Sequence, residues 1–269
     1  MVSTMSPANG GRLEGDFQTI LIEERDDRLH VQLNLPESRN AIGQLMIDEL
    51  QAVCAWLENH PKVLIISGSS IEDPKSGKRR GFFASGADIS QLKERRRDDA
   101  LRGVNSGAFD RIHKLPMPVI AALDGFVLGG GAELAYAADF RIGTPHIKIG
   151  QPEANLGIVA AAGALWRLKE LVGEAVAVNI LMGGKVLNAD EALSLNLVTE
   201  IHEPDELINA AHSLADRITA QDPLAIRLSK SLLNMPREAH PYVDNIAQSV
   251  LFESPAKFER MDAFLNRRT

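Results

Sequence analysis

The residues with the clearest potential for chemistry are two glutamates in apolar, glycine-containing stretches. Glu133 follows three consecutive glycines in the segment FVLGGGAELAYAADFRI (126–142). Glu153 lies in KIGQPEANLGIVAAAGAL (148–165), after a proline and before a run of small apolar residues. A carboxyl group in apolar surroundings tends to have a raised pKa, and two such groups can handle one water or one substrate proton. The pair therefore predicts an acid/base site.

Each glutamate also has a purely structural interpretation. A carboxylate in the first turn of a helix is stabilised by the helix dipole, and this would be enough to account for Glu133. Glu153 could simply mark a turn or the start of a helix. The paired site is a hypothesis that rests on both residues together.

The glycine triplet Gly129–Gly131 has several possible interpretations. A dinucleotide-binding fingerprint would need a glycine at position 134, which is Leu134. A phosphate-binding Walker loop would need Gly-Lys-Ser/Thr, which does not follow. A tight turn remains possible, and so does an oxyanion site, in which unpaired N–H groups at a helix N-terminus meet a substrate oxygen. The triplet alone leaves both open.

The elements that must position these residues follow from hydrophobic patterning. Segments 17–25 and 29–35 flank Asp26-Asp27 and predict a hairpin. Continuous apolar runs predict buried strands, and residues with helical spacing predict helices between them, which together indicate a layered α/β fold. The further strands are predicted at 63–68, 118–125 and 139–144, and the helices at 42–60, 87–99 and 101–115.

The chain changes character after about residue 205, where only helical patterns follow. We therefore expect a flexible N-terminus at 1–14, an α/β core at 15–204 and a helical region at 205–269. The charged segment 72–80 (EDPKSGKRR) predicts a loop.

Composition limits the classes of function. The net charge of the 269 residues is −7, which argues against nucleic-acid binding. The single cysteine, Cys54, lies in an apolar helical pattern, so we expect a core thiol and no internal disulfide. We find no signal peptide and no run of about 18 apolar residues, and we expect a cytoplasmic protein without a membrane span.

Four stretches, in their order and spacing, make residues 15–269 resemble a known family. They are PESRNAI (36–42), GFFASGADISQL (81–92), PVIAALDGFVLGGGAELAYAADFRI (118–142) and GQPEANLGI (150–158). Together they resemble the crotonase superfamily of enoyl-CoA hydratases and isomerases. The resemblance implies a spiral of ββα units whose C-terminal helices pack in a homotrimer or a dimer of trimers.

The resemblance also implies roles for individual residues. The backbone N–H groups of Ala87 and Gly130 would form an oxyanion hole for the thioester carbonyl of an acyl-CoA. Glu133 would help to activate water for attack on C3, and Glu153 would give a proton to C2. No metal or separate cofactor is implied, since coenzyme A belongs to the substrate. Contacts to coenzyme A would come from Ser38, Arg39, Ser85, Ala87, Asp88 and Ile89.

One stretch departs from the pattern. Many hydratases of this family continue from the second glutamate to a Pro-Gly-x-Gly-Gly run, whereas this chain reads IVAAAGA (158–164). In the family this backbone flanks the catalytic water, so the resemblance implies that the added methyl groups would narrow the site or shift the water. The expected activity is hydration of a 2-enoyl-CoA. Isomerisation of a 3-enoyl-CoA, another lyase reaction of the superfamily and non-catalytic acyl-CoA binding remain alternatives.

Overall fold

The computed structural model describes residues 13, 15–72, 77 and 79–266, and it has the layered α/β architecture that the patterning predicts. Apart from Leu13, the predicted N-terminal segment 1–14 lies outside the described residues. Ten strands are described: β1 Ile20–Glu24, β2 Arg28–Leu33, β3 Val63–Ser67, β4 Ser69–Glu72, β5 Arg79–Ala84, β6 Val119–Leu123, β7 Phe126–Leu128, β8 Phe140–Gly143, β9 Lys148–Gly150 and β10 Glu200–Ile201.

The larger sheet has the strand order β1-β2-β3-β6-β8-β10. β1 and β2 form the predicted antiparallel hairpin, and the other neighbours are parallel. Every residue of β3 and β6 is buried, because helices cover both faces of a parallel sheet. Alternate residues therefore belong to two cores: Leu64 and Ile66 face one, and Val63 and Ile65 face the other.

Twelve α-helices lie within the described residues. They are α1 Gln44–Asn59, α2 Ile89–Glu94, α3 Arg97–Arg102, α4 Val104–His113, α5 Gly130–Ala137, α6 Lys169–Val172, α7 Glu174–Leu181, α8 Ala189–Ser194, α9 Leu207–Thr219, α10 Pro223–Leu233, α11 Tyr242–Phe252 and α12 Pro255–Asn266. A short π-helix, Ala164–Leu168, precedes α6. None of the described helices combines the length and the apolar character that crossing a membrane requires.

The helices divide between the two faces of the larger sheet. The major core includes buried side chains of α1, α4 and α5, among them Cys54, whose predicted burial is confirmed. Burial raises the pKa of the Cys54 thiol to about 12. The second core is covered by α9, through Leu207, Ala211 and Leu214. The division between 15–204 and 205–269 stays a prediction.

The smaller sheet has the order β4-β5-β7-β9 and corrects the sequence analysis at one point. Glu72, Arg79 and Arg80 belong to strands rather than to the loop predicted over 72–80. Glu72 pairs with Arg79 across the antiparallel β4 and β5, so opposite charges face each other at the end of the hairpin. Oppositely charged residues that face each other across two strands are compatible with a sheet. The loop was predicted because a charged segment with proline and glycine is more typical of a loop.

Candidate active site

The loop that follows β5 presents the N–H group of Ala87. A parallel bridge joins this loop to Ile42: the Ile42 N–H donates to the Gly86 carbonyl (2.8 Å), and the Asp88 N–H donates to the Ile42 carbonyl (3.0 Å). These bonds use the groups on either side of Ala87. Within the described residues the Ala87 N–H has no hydrogen-bond partner, so it is available to a substrate.

A second free N–H group comes from Gly130, the first residue of α5. Helix N-termini leave their first N–H groups unpaired, and no partner for that of Gly130 occurs in the described part of the chain. A Cβ atom built on Gly130 would lie 3.4 Å from the Ala87 nitrogen. Two N–H groups without a partner in the described residues therefore lie close together, and N–H pairs of this kind can bind a developing oxyanion.

A side chain would have a different consequence at each of the three glycines before Glu133. Gly129 has φ 51° and ψ −127°, a conformation that only glycine adopts readily, and a Cβ there would lie 2.6 Å from Glu153 Oε1. A Cβ on Gly131 would lie 2.5 Å from the Ala84 carbonyl oxygen. Only at Gly130 is there room for a methyl group, and that room is the space beside the Ala87 N–H.

Glu133 is 3% exposed and lies in the first turn of α5. Its Oε1 accepts hydrogen bonds from the N–H groups of Ala162 (2.7 Å) and Ala164 (3.1 Å). The pKa of Glu133 is raised to about 7: burial is the main cause and the charge of Glu153 adds to it, while the two N–H donors oppose the rise. One oxygen is thus anchored to backbone, and the group titrates near neutral pH.

Glu153 begins a short 3₁₀ helix, Glu153–Leu156, and is half-buried. Burial also raises the pKa of Glu153 above its ordinary value. With its amide oriented by its surroundings, Gln151 donates from Nε2 to Glu153 Oε2 (2.8 Å) and Oε1 (3.2 Å). Two carboxyls of raised pKa in one site are suited to act one as a base and the other as an acid.

The residues predicted to contact coenzyme A lie on two loops that hydrogen bonds join. Ser85 N–H donates to the Arg39 carbonyl (3.0 Å), and Ser85 Oγ donates to the Ser38 carbonyl (3.3 Å). Ser38, Arg39 and Ile89 are exposed, and Asp88 caps α2 by accepting from the Ser90 N–H (2.9 Å). The structure therefore brings these positions together on the surface around the Ala87 N–H group.

Several residues that build the site were missed by sequence reasoning. Asn40, buried with φ 55°, donates from Nδ2 to the carbonyls of Phe82 and Phe83 (both 3.0 Å) and so ties the first loop to β5. Its side-chain type was a usable signal, because asparagine tolerates the left-handed region. Gln151 and the backbone donors Ala162 and Ala164 had no comparable signal, because their contacts become visible only when distant segments meet.

Comparisons with known proteins agree with this geometry. The profile of the family described as Enoyl-CoA hydratase/isomerase matches residues 25–269. The chain is 32% identical over 267 residues to the short-chain-enoyl-CoA hydratase of Clostridium acetobutylicum, covering 94% of this chain and 97% of that protein. It is 33% identical over 260 residues to the crotonyl-CoA hydratase of Syntrophomonas wolfei, covering 94% and 96%.

Solved structures show the same fold. The enoyl-CoA hydratase of Thermoplasma volcanium has a TM-score of 0.80 at 32% identity, over 91% of this chain and 96% of that one. The enoyl-CoA hydratase of Bacillus anthracis has a TM-score of 0.84 at 25% identity, over 93% and 97%. The predicted crotonase-like fold class is confirmed.

Proposed function

Because the chain belongs to the enoyl-CoA hydratase/isomerase family, we propose that it is an enoyl-CoA hydratase. This is a hydro-lyase that adds water across the 2,3 double bond of a 2-enoyl-CoA thioester. The observation that carries the proposal is the meeting of two unpaired N–H donors with two carboxyls of raised pKa. The names of the relatives, short-chain-enoyl-CoA and crotonyl-CoA hydratase, support the same reaction and a short acyl chain.

The oxyanion donors act on the thioester carbonyl. Its oxygen accepts hydrogen bonds from the N–H groups of Ala87 and Gly130. As the water oxygen bonds to C3, the electron pair of the double bond moves towards the carbonyl oxygen, which becomes an enolate oxygen. Fixed donors stabilise this charge more than they stabilise the ground state, and loss of one typically costs about 3–4 kcal/mol.

The two carboxyls move the protons. Ionised Glu133 takes a proton from the water as the oxygen bonds to C3, and protonated Glu153 gives its proton to C2. The product is a 3-hydroxyacyl-CoA, and one proton remains on the pair. Proton transfer between the carboxyls restores the starting state, so each turnover consumes one water and one enoyl thioester.

The two joined loops form the proposed coenzyme A site. Ser38, Arg39, Ser85, Ala87, Asp88 and Ile89 lie on them, and coenzyme A enters as part of the substrate. The exposed guanidinium of Arg39 is a suitable partner for a phosphate group. Backbone groups near Ser85 and Asp88 would then align the thioester with the oxyanion donors.

The alanine-rich stretch does not favour the isomerase alternative. Although the chain reads IVAAAGA over 158–164, the N–H groups of Ala162 and Ala164 still hold Glu133. An isomerase would need one carboxyl only, and the anchored Glu133 would then have no role in the reaction. The geometry therefore supports hydration.

The test is the loss of the conjugated-enoyl absorbance of crotonyl-CoA, with Glu133→Gln and Glu153→Gln beside the wild type. Hydration by the pair predicts that both variants lose activity. An active Glu133→Gln variant with an inactive Glu153→Gln variant would instead indicate isomerisation, which a 3-enoyl-CoA substrate would then confirm. Binding of crotonyl-CoA without turnover by the wild type would contradict the proposal.

We further propose that copies of this chain associate through the C-terminal helices. Contiguous exposed apolar surface on a folded protein usually marks an interface. Helices α10, α11 and α12 and the turns beside them expose a set of large apolar side chains: Leu233, Met235, Ile246, Val250, Phe252, Phe258, Met261 and Leu265. Such a surface suits a homotrimer or a dimer of trimers.

A further inference from the structure

Three side chains meet on the α9 face of the larger sheet and have no role in the proposed hydration. On β2, Leu29 and Val31 face the major core, so His30 between them faces the opposite side of the sheet. Glu23 of β1 is the direct cross-strand partner of His30. The ring of His212 on α9 lies edge-on to that of His30, with centroids 5.7 Å apart. Three elements therefore bring one carboxylate and two imidazoles to one place.

The spacing of these side chains is close to that of metal ligands. Each offers one ligand atom within 4.8 Å of the other two, and no second group of His, Cys, Asp or Glu in the described part of the chain does so. The ligands of a tetrahedral Zn²⁺ lie about 3.3 Å apart, as metal–ligand distances of about 2.0–2.1 Å require. Side-chain movements of about 1 Å would bring the atoms to that spacing. The Glu23 side chain, 55% exposed, has room to move.

The two histidines have the surroundings that a metal site needs. The Nε2 atom of His30 lies 2.8 Å from Ser67 Oγ, which fixes the orientation of the ring, and such outer partners are typical of metal-binding histidines. The Nδ1 atom of His212 is buried and has no hydrogen-bond partner within the described residues. Buried polar atoms nearly always have a partner, so the fold leaves this imidazole one interaction short. Burial lowers the pKa of both rings, that of His30 to about 4, so both are neutral near pH 7 and can bind a metal.

The charges around the cluster allow a divalent cation to enter. Arg25 donates to Glu23 Oε1 (2.8 Å), but its side chain is exposed and can turn into water when an ion takes the carboxylate. The other neighbouring cation, Arg28, is already paired with Asp27 and Asp216. One carboxylate and two neutral imidazoles remain, which is the donor set of a three-ligand zinc site with water in the fourth position.

We propose that Glu23, His30 and His212 bind one Zn²⁺, with water as the fourth ligand. The ion joins the β1–β2 hairpin to α9 and stabilises their packing, because an ion that binds only the folded chain raises its stability. This site goes beyond the proposed function. It lies on the side of the sheet that α9 covers, whereas α5, which carries Glu133, packs in the major core.

The first experiment is a calorimetric titration of Zn²⁺ into tag-free protein that has been treated with EDTA and dialysed. We expect one Zn²⁺ per chain, and binding at least about 100-fold weaker in each of Glu23→Gln, His30→Gln and His212→Gln. The matched control is His202→Gln. His202 also has a carboxylate partner, Glu200 (2.8 Å), but no third ligand joins them within the described residues, so this variant should bind Zn²⁺ as the wild type does.

Three outcomes of the titration would overturn the proposal. The wild type could bind no Zn²⁺. Any one of the three ligand variants could keep wild-type affinity, which would remove that residue from the site. The loss of binding in His202→Gln would place the ion elsewhere on the surface.

Two further measurements prevent a folding defect from being mistaken for the loss of a ligand. Zn²⁺ should raise the thermal midpoint of the wild type and of His202→Gln by several degrees, and it should not raise that of the ligand variants, each compared with its own metal-free midpoint. Co²⁺, used as a visible probe, should show the intense bands of a four-coordinate ion in the wild type and not in His30→Gln. A six-coordinate spectrum, or an equal rise in midpoint for His212→Gln, would refute the site. Neither readout requires turnover, so the result stands whether or not crotonyl-CoA is hydrated.

Discussion

At the residue scale, the two glutamates have the same chemistry and different supports. Glu133 is fixed by backbone N–H groups, which cannot rotate away, and it is almost wholly buried. Glu153 is half-buried and is held by a side-chain amide. These supports suit the two proposed proton transfers: the firmly held Glu133 takes a proton from water, and the more accessible Glu153 gives a proton to C2.

A methyl group at position 130 tests the oxyanion donors. In Gly130→Ala the new Cβ would lie 3.4 Å from the Ala87 nitrogen, an allowed contact, so we expect normal folding. The methyl group would occupy the place of the carbonyl oxygen, and kcat for crotonyl-CoA should fall about 100-fold or more. The control is Gly107→Ala on α4, where a Cβ meets nothing within 4 Å and activity should be unchanged. Equal activity of both variants would exclude this site for the oxyanion.

The pKa of Glu133 predicts how stability depends on pH. Its value in the folded protein, about 7, lies above the ordinary 4.5, so this group's contribution to stability is complete below about pH 4.5 and is lost as pH rises through 7. The loss reaches about 3 kcal/mol. Glu133→Gln has no carboxyl to ionise, so this loss of stability is absent from the variant. The variant should therefore have a higher free energy of unfolding than the wild type at pH 8.5 and a similar one at pH 5. Urea denaturation at both pH values measures this.

An exposed glutamate provides the comparison for that experiment. Glu259→Gln on α12 should change the free energy of unfolding little at either pH, because water screens the charge in both states. If the stability difference between Glu133→Gln and the wild type were the same at pH 5 and pH 8.5, the raised pKa would be contradicted.

At the scale of elements, the sequence predicts the long buried strands well and the site's supports poorly. The single helix predicted over 87–99 is wrong, because extended backbone at Arg95 and Arg96 divides that stretch between α2 and α3. The apolar runs of β3 and β6 could be recognised because five buried residues in a row leave a clear pattern. β7 and β9 have three residues each, too few for a pattern, yet β7 leads to Gly129 and β9 leads to Gln151. The partners of Glu133 are N–H groups, which almost any residue type supplies, so no letter of the sequence could reveal them.

One element-scale contact, between α10 and the residues just before β6 and β8, should be important for stability. Buried Lys230 donates from Nζ to Asp139 Oδ2 (2.7 Å) and to the Met117 carbonyl (3.1 Å). Among the described residues, Lys230→Met would leave the Val119 N–H as the one hydrogen-bond donor to the Asp139 carboxylate. We expect a loss of about 2–3 kcal/mol, less than for a fully buried pair because Asp139 is partly exposed.

Urea denaturation checks this loss, with a surface ion pair as the control. Lys169→Met breaks the exposed pair with Glu174 and should change the free energy of unfolding little, because water screens both charges. Adding Asp139→Asn to Lys230→Met should recover part of the stability, because no unpaired charge remains. Equal costs for Lys230→Met and Lys169→Met would show that the α10 contact contributes no more than a surface pair.

At the scale of the whole molecule, the proposed self-association predicts a mass and a concentration dependence. Sedimentation should give a multiple of the 29.3 kDa chain mass, and the thermal midpoint should rise with protein concentration because association stabilises only the folded chain. In the double variant Leu233→Glu/Val250→Glu, charges on α10 and α11 would have to be buried in the interface. That variant should sediment as a folded monomer, whereas Leu21→Glu on the edge strand β1 should not alter the mass. A monomeric wild type would contradict the role of the C-terminal helices, and a monomeric Leu21→Glu variant would place the interface elsewhere.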